Sequence, residues 1–359
     1  MEAPLLTSQL PGRTLITEEA TYLYFSGTSY LGMARNENFQ KILQECFIEY
    51  GTNYSSSRLS NVQLKIFAET EAYLAAWTHA EAALVVTSGL VAGQLLVKAL
   101  PEAGEFMYGP RTHPALWRTP VDCYEGDYHT WTQKLPEKIR ASVSKKIIIL
   151  TNSLDALWVQ AYSFEWINEL PGNKAITVII DDSHGFGLTG KNGAGVHTQL
   201  PKLPAHVQVA VISSFGKALG IPGGVILGNA AFIDQLKKSA FFGGGSPPVP
   251  AYLAAFLQAE ELYQQAREKL QNNINQFTST LQYSEQFQSF AGYPIFYTRQ
   301  NNLYDWLLQQ QILISHFAYP TPADLPITRL VLNSLHTPED IQVLTQQINA
   351  FCASTESFS

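Results

Sequence analysis

The chain has 359 residues, 46% of them hydrophobic and 15% charged, which excludes a disordered protein and is long enough to bury roughly three quarters of the surface its unfolded form exposes. Thirty acidic against 23 basic residues leave a formal charge of −7, the wrong sign for binding nucleic acid or an anionic membrane surface. The three cysteines, Cys46, Cys123 and Cys352, are too scattered for a disulfide framework or a CxxC metal site, so a reducing cytoplasm is expected.

In chain order, residues 1–37 read as an N-terminal arm. Two short apolar pieces flank Pro11-Gly12, then YLYFSGTSYLGM follows with too little periodicity to fold alone. The arm has no basic region leading into an apolar core, and no apolar run in the chain approaches the roughly 20 residues that cross a bilayer. FQKILQECFIEY and VQLKIFAETEAYLAAW have helical spacing, and the polar GTNYSSSRLSN between them reads as a loop. After Trp77 strands alternate with helices: EAALVVTSG as strand and turn, LVAGQLLVKAL as helix, then KKIIILTN, AITVIIDDSHG and VQVAVISS as strands. The last three are apolar without alternation, as parallel strands covered on both faces are. The fold class is therefore α/β, with a mostly parallel central sheet flanked by helices over residues 38–248. A long helix is expected from Val249 to about Leu281, opening a smaller α+β domain over 249–359 that mixes YPIFYT and ITRLVLNS with NLYDWLLQQ and PEDIQVLTQQINAF.

Open α/β sheets bind ligands at the carboxyl ends of their strands, so the polar residues that follow each apolar run come first. Ser88-Gly89 precedes a helix, where amides and a hydroxyl suit a phosphate, although Ser-Gly is also an ordinary helix cap. Asp181-Asp182-Ser183-His184 sets carboxylates and an imidazole at one strand end; the bland alternative is a turn bonded to its own backbone. Lys217, between Gly216 and Gly220, could form a Schiff base or be a solvated charge. His113, in Gly109-Pro110-Arg111-Thr112-His113, could be an ordinary histidine. Together these are the parts a pyridoxal phosphate (PLP) site needs: a phosphate cup, an Asp for the pyridine nitrogen and a Lys for the aldehyde.

At these residues the chain resembles the α-oxoamine synthases, fold-type I PLP enzymes that include 8-amino-7-oxononanoate synthase and 2-amino-3-ketobutyrate CoA ligase. IIDDSHGFGLTGKNGAGV, SSFGKALGIPGG and RLVLNSLHTPEDI carry the resemblance, with SYLGM, EAALVVTSG and SPP in support. It implies a PLP-dependent acyltransferase that joins a small amino acid to an acyl-CoA. It further implies that Lys217 holds the cofactor and then moves the α-proton, that Asp181 pairs with the ring nitrogen, that His184 bonds the ring's phenolic oxygen and that His113 lies over the ring. Ser88, Gly89, the Leu90 amide and Ser214 would hold the phosphate, and Arg329 would clamp the substrate carboxylate, a contact its fork suits, with a surface ion pair as the alternative. A homodimer is implied too, matching an aromatic content of 12%.

The chain departs from that pattern on the substrate side. Leu90 stands where the family has an aromatic residue, Thr28-Ser29 where it has Asn-Asp, and Asn152 where it carries a Glu ahead of a Ser-Met-Asp-Gly turn. Thr52–Arg58 replaces a glycine-rich loop, and the Ser or Thr that a neighbouring subunit lends to the phosphate is replaced within Gly243-Gly244-Gly245. An aminotransferase or lyase that acts on an amino acid without CoA, and a non-catalytic binding protein of the same fold, are the alternatives.

Overall fold

The computed structural model describes residues 5–100, 104–119, 123–319 and 324–356, so the first four residues of the expected arm lie outside the described residues. Two strands, β1 (Thr14–Ile16) and β2 (Thr21–Phe25), precede the helices α1 (Glu37–Tyr50) and α2 (Lys65–Thr78). The α/β run follows as β3 (Ala82–Val86), α3 (Gly89–Ala99), β4 (Glu105–Tyr108), α4 (Tyr128–Ala141) and β5 (Lys146–Asn152). After two short pieces, β6 (Leu154–Asp155) and β7 (Gln160–Ala161), come β8 (Ala175–Asp181), β9 (Val207–Ser214) and β10 (Gly224–Gly228). The helices α5 (Ala230–Lys237), α6 (Ala240–Gly244), α7 (Pro250–Gln258) and α8 (Glu260–Thr280) lead to β11 (Ile295–Thr298), α9 (Leu303–Gln309), β12 (Ile312–Ala318), β13 (Pro326–Val331) and α10 (Pro338–Glu356).

Contacts group these elements into two units. The larger holds Gln40–Asp155 and Ala161–Glu260; the smaller holds Met1–Phe39, Ala156–Gln160 and Glu261–Ser359. This grouping differs from the division expected at residues 37 and 248. The segment read as a separate arm enters a sheet of the smaller unit, because β2 pairs in parallel with β12, Leu23 against Ile312. The single long helix is two: at Ala259 the backbone leaves helical geometry (φ −103°, ψ 17°), and α7 stays with the larger unit.

In the larger unit the sheet order is β3-β10-β9-β8-β5-β4. The strands β4, β5, β8 and β9 run parallel, the last three as their unbroken apolar runs foretold, while β10 lies antiparallel between β9 and β3. Leu84, Val86, Ile148, Leu150, Ile179, Ile212 and Ile226 pack with α3 and α5 into one buried cluster. The register fixes where chemistry can occur. Asn152 lies beside Asp181, Asp181 beside Ile212, and Gly224 beside both Ser214 and Val86, so the loops after β3, β5, β8 and β9 leave from one edge. A side chain at Gly224 would sit 2.5 Å from the Ser88 carbonyl, so the glycine is what lets the start of α3 close on β10.

The loop that replaces the family's glycine-rich one is anchored by a buried charge cluster. Arg58 donates to Glu71 at 2.8 Å with its guanidinium over the Phe67 ring, and Glu71 also takes Lys237 and the Val85 amide. The smaller unit is built on the sheet β1-β2-β12-β13-β11, in which Arg329 lies between Tyr297 and Ser315.

Candidate active site

The larger unit brings together the predicted residues that belong to it, each at the end of a strand. Ser88 caps α3, its hydroxyl accepting from the Val91 amide at 3.2 Å, while the first-turn amides of Gly89 and Leu90 have no helical carbonyl to meet. A methyl at Gly89 would stand 2.8 Å from the Ser214 Cβ, so only glycine lets the helix start reach the end of β9. The cap reading of Ser88-Gly89 is realised, and it leaves the amides of Gly89 and Leu90 available for the other. The helix start, with its partial positive charge, and the Ser214 hydroxyl make a cradle for a dianion.

Asp181, the last residue of β8, is buried, and its Oδ1 accepts from the Ser183 amide at 2.9 Å. The Ser183 hydroxyl accepts from the Ser214 amide at 3.0 Å, tying the carboxylate's turn to the cradle. Asp182 turns the other way and is fully buried, with Oδ2 accepting from Val196 at 2.8 Å. A Cβ on Gly185 or Gly195 would overlap its carboxyl oxygens at 2.2 and 2.1 Å, so both positions need glycine. Burial pushes the Asp182 carboxyl up to about 7, against the Ser153 hydroxyl and the Val196 amide, which favour the charged form. His184 follows, half-buried, in the same turn.

Lys217 sits in the turn after β9. That turn is closed by Gly220 N–H to the Lys217 carbonyl (3.2 Å), with Gly220 at φ +66°, and by Ile221 N–H to the Phe215 carbonyl (3.3 Å). Phe215 is buried and stacked on Phe186, fixing the loop from below. His113 caps a short turn, its Nδ1 accepting from the Ala115 amide at 3.2 Å, and it faces Asp181 Oδ2 at 3.8 Å. Partial burial holds the imidazole below its ordinary pKa; Asp181 pulls it up and Lys217 pushes it down. His113, Asp181 and Lys217 thus act on one another across the edge.

Leu90, in the family's aromatic position, is 57% exposed. Arg329 belongs to the smaller unit. It is buried, over the Phe317 ring at 5.3 Å, with Nη1 donating to the Ala156 carbonyl and Nε without a hydrogen-bond partner. That neighbourhood fits a held cation better than the surface ion pair weighed as the alternative. Sequence reasoning quoted Ser183 within the DDSHG turn and Asn152 as a changed family position, but gave neither the contacts the structure shows: Ser183 links two strand ends, and Asn152 bonds the backbone of the His113 loop. No group of three or more metal-ligating side chains occurs among the described residues.

A glycine-shaped phosphate cradle, a buried carboxylate and a lysine, all on the carboxyl edge of a mostly parallel sheet, fit pyridoxal 5′-phosphate and define a fold-type I PLP-dependent transferase. The chain belongs to the aminotransferase class I and II family, whose model matches residues 21–348. It is 26% identical to an 8-amino-7-oxononanoate synthase of Aliivibrio fischeri strain MJ11, over 96% of this chain and 92% of the relative. It is 27% identical to that of Buchnera aphidicola subsp. Baizongia pistaciae, over 91% and 88%. Among solved structures, a serine palmitoyltransferase variant from S. paucimobilis with bound PLP and myriocin superposes with a TM-score of 0.81 at 16% identity, covering 97% and 92% of the two chains. The 8-amino-7-oxononanoate synthase of Francisella tularensis gives 0.69 at 20%, covering 93% and 99%. At those identities the structural likeness is one of fold. The expected resemblance to α-oxoamine synthases, the α/β fold class and the PLP cofactor are borne out. No helix among the described residues is long and apolar enough to cross a membrane.

Proposed function

We propose that the protein joins a small amino acid to an acyl-CoA thioester in a PLP-dependent reaction of the α-oxoamine synthase type, as a homodimer in the cytoplasm. The observation that carries the reading is the meeting of Ser88, Gly89, Ser214, Asp181, His113 and the Lys217 turn on one sheet edge. Its support is the relatives named 8-amino-7-oxononanoate synthase, matched over most of their length.

When bound, the cofactor supplies the electron sink that makes an amino-acid carbanion accessible. The chain's own residues do the rest. Ser88, Gly89, the Leu90 amide and Ser214 would hold the phosphate through the helix start. Asp181, buried at the end of β8, would keep a proton on the pyridine nitrogen, and His184 would bond the phenolic oxygen. Lys217 would carry the cofactor and then move the proton at the amino acid's Cα. His113, with Nδ1 engaged by the Ala115 amide, presents its Nε2–H outward as a neutral donor. Arg329 offers a planar fork for the substrate carboxylate.

The test is the visible absorption of the cofactor-loaded protein. A band that shifts on adding glycine, alanine or serine, vanishes in Lys217→Ala and is followed by release of free CoA thiol from an acyl-CoA is the expected result. An oxo acid formed without thiol release would replace the reading with aminotransfer, and a spectrum that no amino acid alters would leave a binding protein.

A further inference from the structure

The segment that carries His113 is held by a residue with no assigned part in the site. Asn152 ends β5 directly beside Asp181. Its Oδ1 accepts from the His113 amide at 3.2 Å and its Nδ2 donates to the Arg111 carbonyl at 2.9 Å. The two contacts fix the amide's orientation, since a flipped side chain would set donor against donor and acceptor against acceptor. Arg111 needs that hold. Its φ is +50°, a left-handed conformation that costs a non-glycine residue about 1–2 kcal/mol, and its guanidinium is tied to buried Asp155 at 2.7 Å.

We propose that Asn152 is a positioning residue for His113: its amide clamps the backbone on both sides of Thr112 and so fixes the ring in the tautomer with a bare Nδ1 and a proton on Nε2. The inference rests on the proposed function only in assigning His113 to the cofactor's face. A carboxylate of similar size could accept from His113 but could not donate to Arg111. Neighbouring parallel strands lie about 4.8 Å apart, so it would also put a second negative charge against Asp181. The amide is thus the side chain that clamps without charging the site. The charged groups that face the ring are Asp181 and Lys217, with Arg111 and its partner Asp155 two residues back.

The experiment is nitrogen NMR of the protein labelled in its histidine rings, as purified, with the His113 signal assigned by its loss in His113→Gln. The wild-type ring should show a bare Nδ1 and a protonated Nε2. Asn152→Ala, which removes both clamps and adds no charge, should give a mixture of tautomers. Asn152→Asp should raise the ring's pKa by about one unit, because a nearby negative charge favours the imidazolium. A wild-type ring protonated on Nδ1, or a tautomer and pKa unchanged in both variants, overturns the proposal. Neither readout depends on turnover, so a failure of the proposed reaction would leave this result standing, and the reverse.

Discussion

At the scale of single residues, the two aspartates of the DDSHG turn are separated by their surroundings. Asp181 faces the edge, with the Ser183 amide on its Oδ1 and His113 3.8 Å from its Oδ2, whereas Asp182 faces inward between two glycines. A carboxyl whose folded pKa lies near 7, above the ordinary 3.8, binds its proton more tightly in the folded state. Its contribution is therefore fully present below about pH 4 and is lost as pH rises towards 7, on the order of 4 kcal/mol in all. Asp182→Asn keeps an acceptor for the Val196 amide and has nothing to ionise. Urea unfolding at pH 5 and pH 8 should show the variant losing less stability than wild type between the two; equal losses would place the proton elsewhere. The motif was legible because short polar residues right after an apolar run are visible as letters. The opposite facing of its two carboxylates was not, since it depends on Val196 and Gly195, more than ten residues on.

Among the elements, the RLVLNSLHTPEDI stretch that helped mark the family turns out to be structural glue of the smaller unit. His336 is buried, its Nδ1 accepting from the Asn333 amide (3.1 Å) and its Nε2 donating to the Tyr24 carbonyl (3.0 Å), with the ring stacked on Phe25 at 4.0 Å. Thr337 and Asp340 cap α10 reciprocally, and Arg13 pairs with Asp340. Both ring nitrogens of the neutral imidazole are used, and burial holds the pKa down to about 4. Stability from His336 is present above the ordinary pKa of 6.5 and is lost as pH falls towards 4, by about 3 kcal/mol. His336→Gln, which can mimic only part of this bonding, should cost stability at pH 7.5 and show a smaller further loss at pH 5 in thermal melts. A variant as acid-sensitive as wild type would rule out this origin. The strands here were harder to read than those of the larger unit. Three-residue β1 carries no apolar run, and the hairpin it makes with β2 joins the sheet by the pairing of β2 with β12 some 290 residues away, a contact that no local pattern encodes. The break at Ala259 was equally silent, since no Pro or Gly marks it.

For the whole molecule, composition suggested subunit contacts through an aromatic surplus, and much of that surplus is spent inside the chain. Tyr128 stacks on Tyr162 at 3.7 Å, Trp131 meets Trp166, and Trp77, Phe186, Phe215 and Phe256 form a further ring cluster. The case for a homodimer is better carried by what remains exposed. Leu59 is 56% exposed and Phe241 41%, and they share one surface of the larger unit: Ser57 donates to the Gly243 carbonyl at 2.7 Å, and a side chain at Gly243 would strike Leu59 at 2.5 Å. Beneath them the buried Arg58–Glu71 pair and the Phe242 ring hold loop and helix rigid, so an interface formed there would not have to order the loop first. Sedimentation at micromolar concentration should find twice the 39.8 kDa of one chain. Leu59→Glu with Phe241→Glu, which puts two charges on that surface without touching the buried pair, should weaken the dimer by at least about tenfold while far-ultraviolet circular dichroism stays unchanged. A wild-type monomer would refute the assembly, and a dimer indifferent to both charges would move its interface to another face.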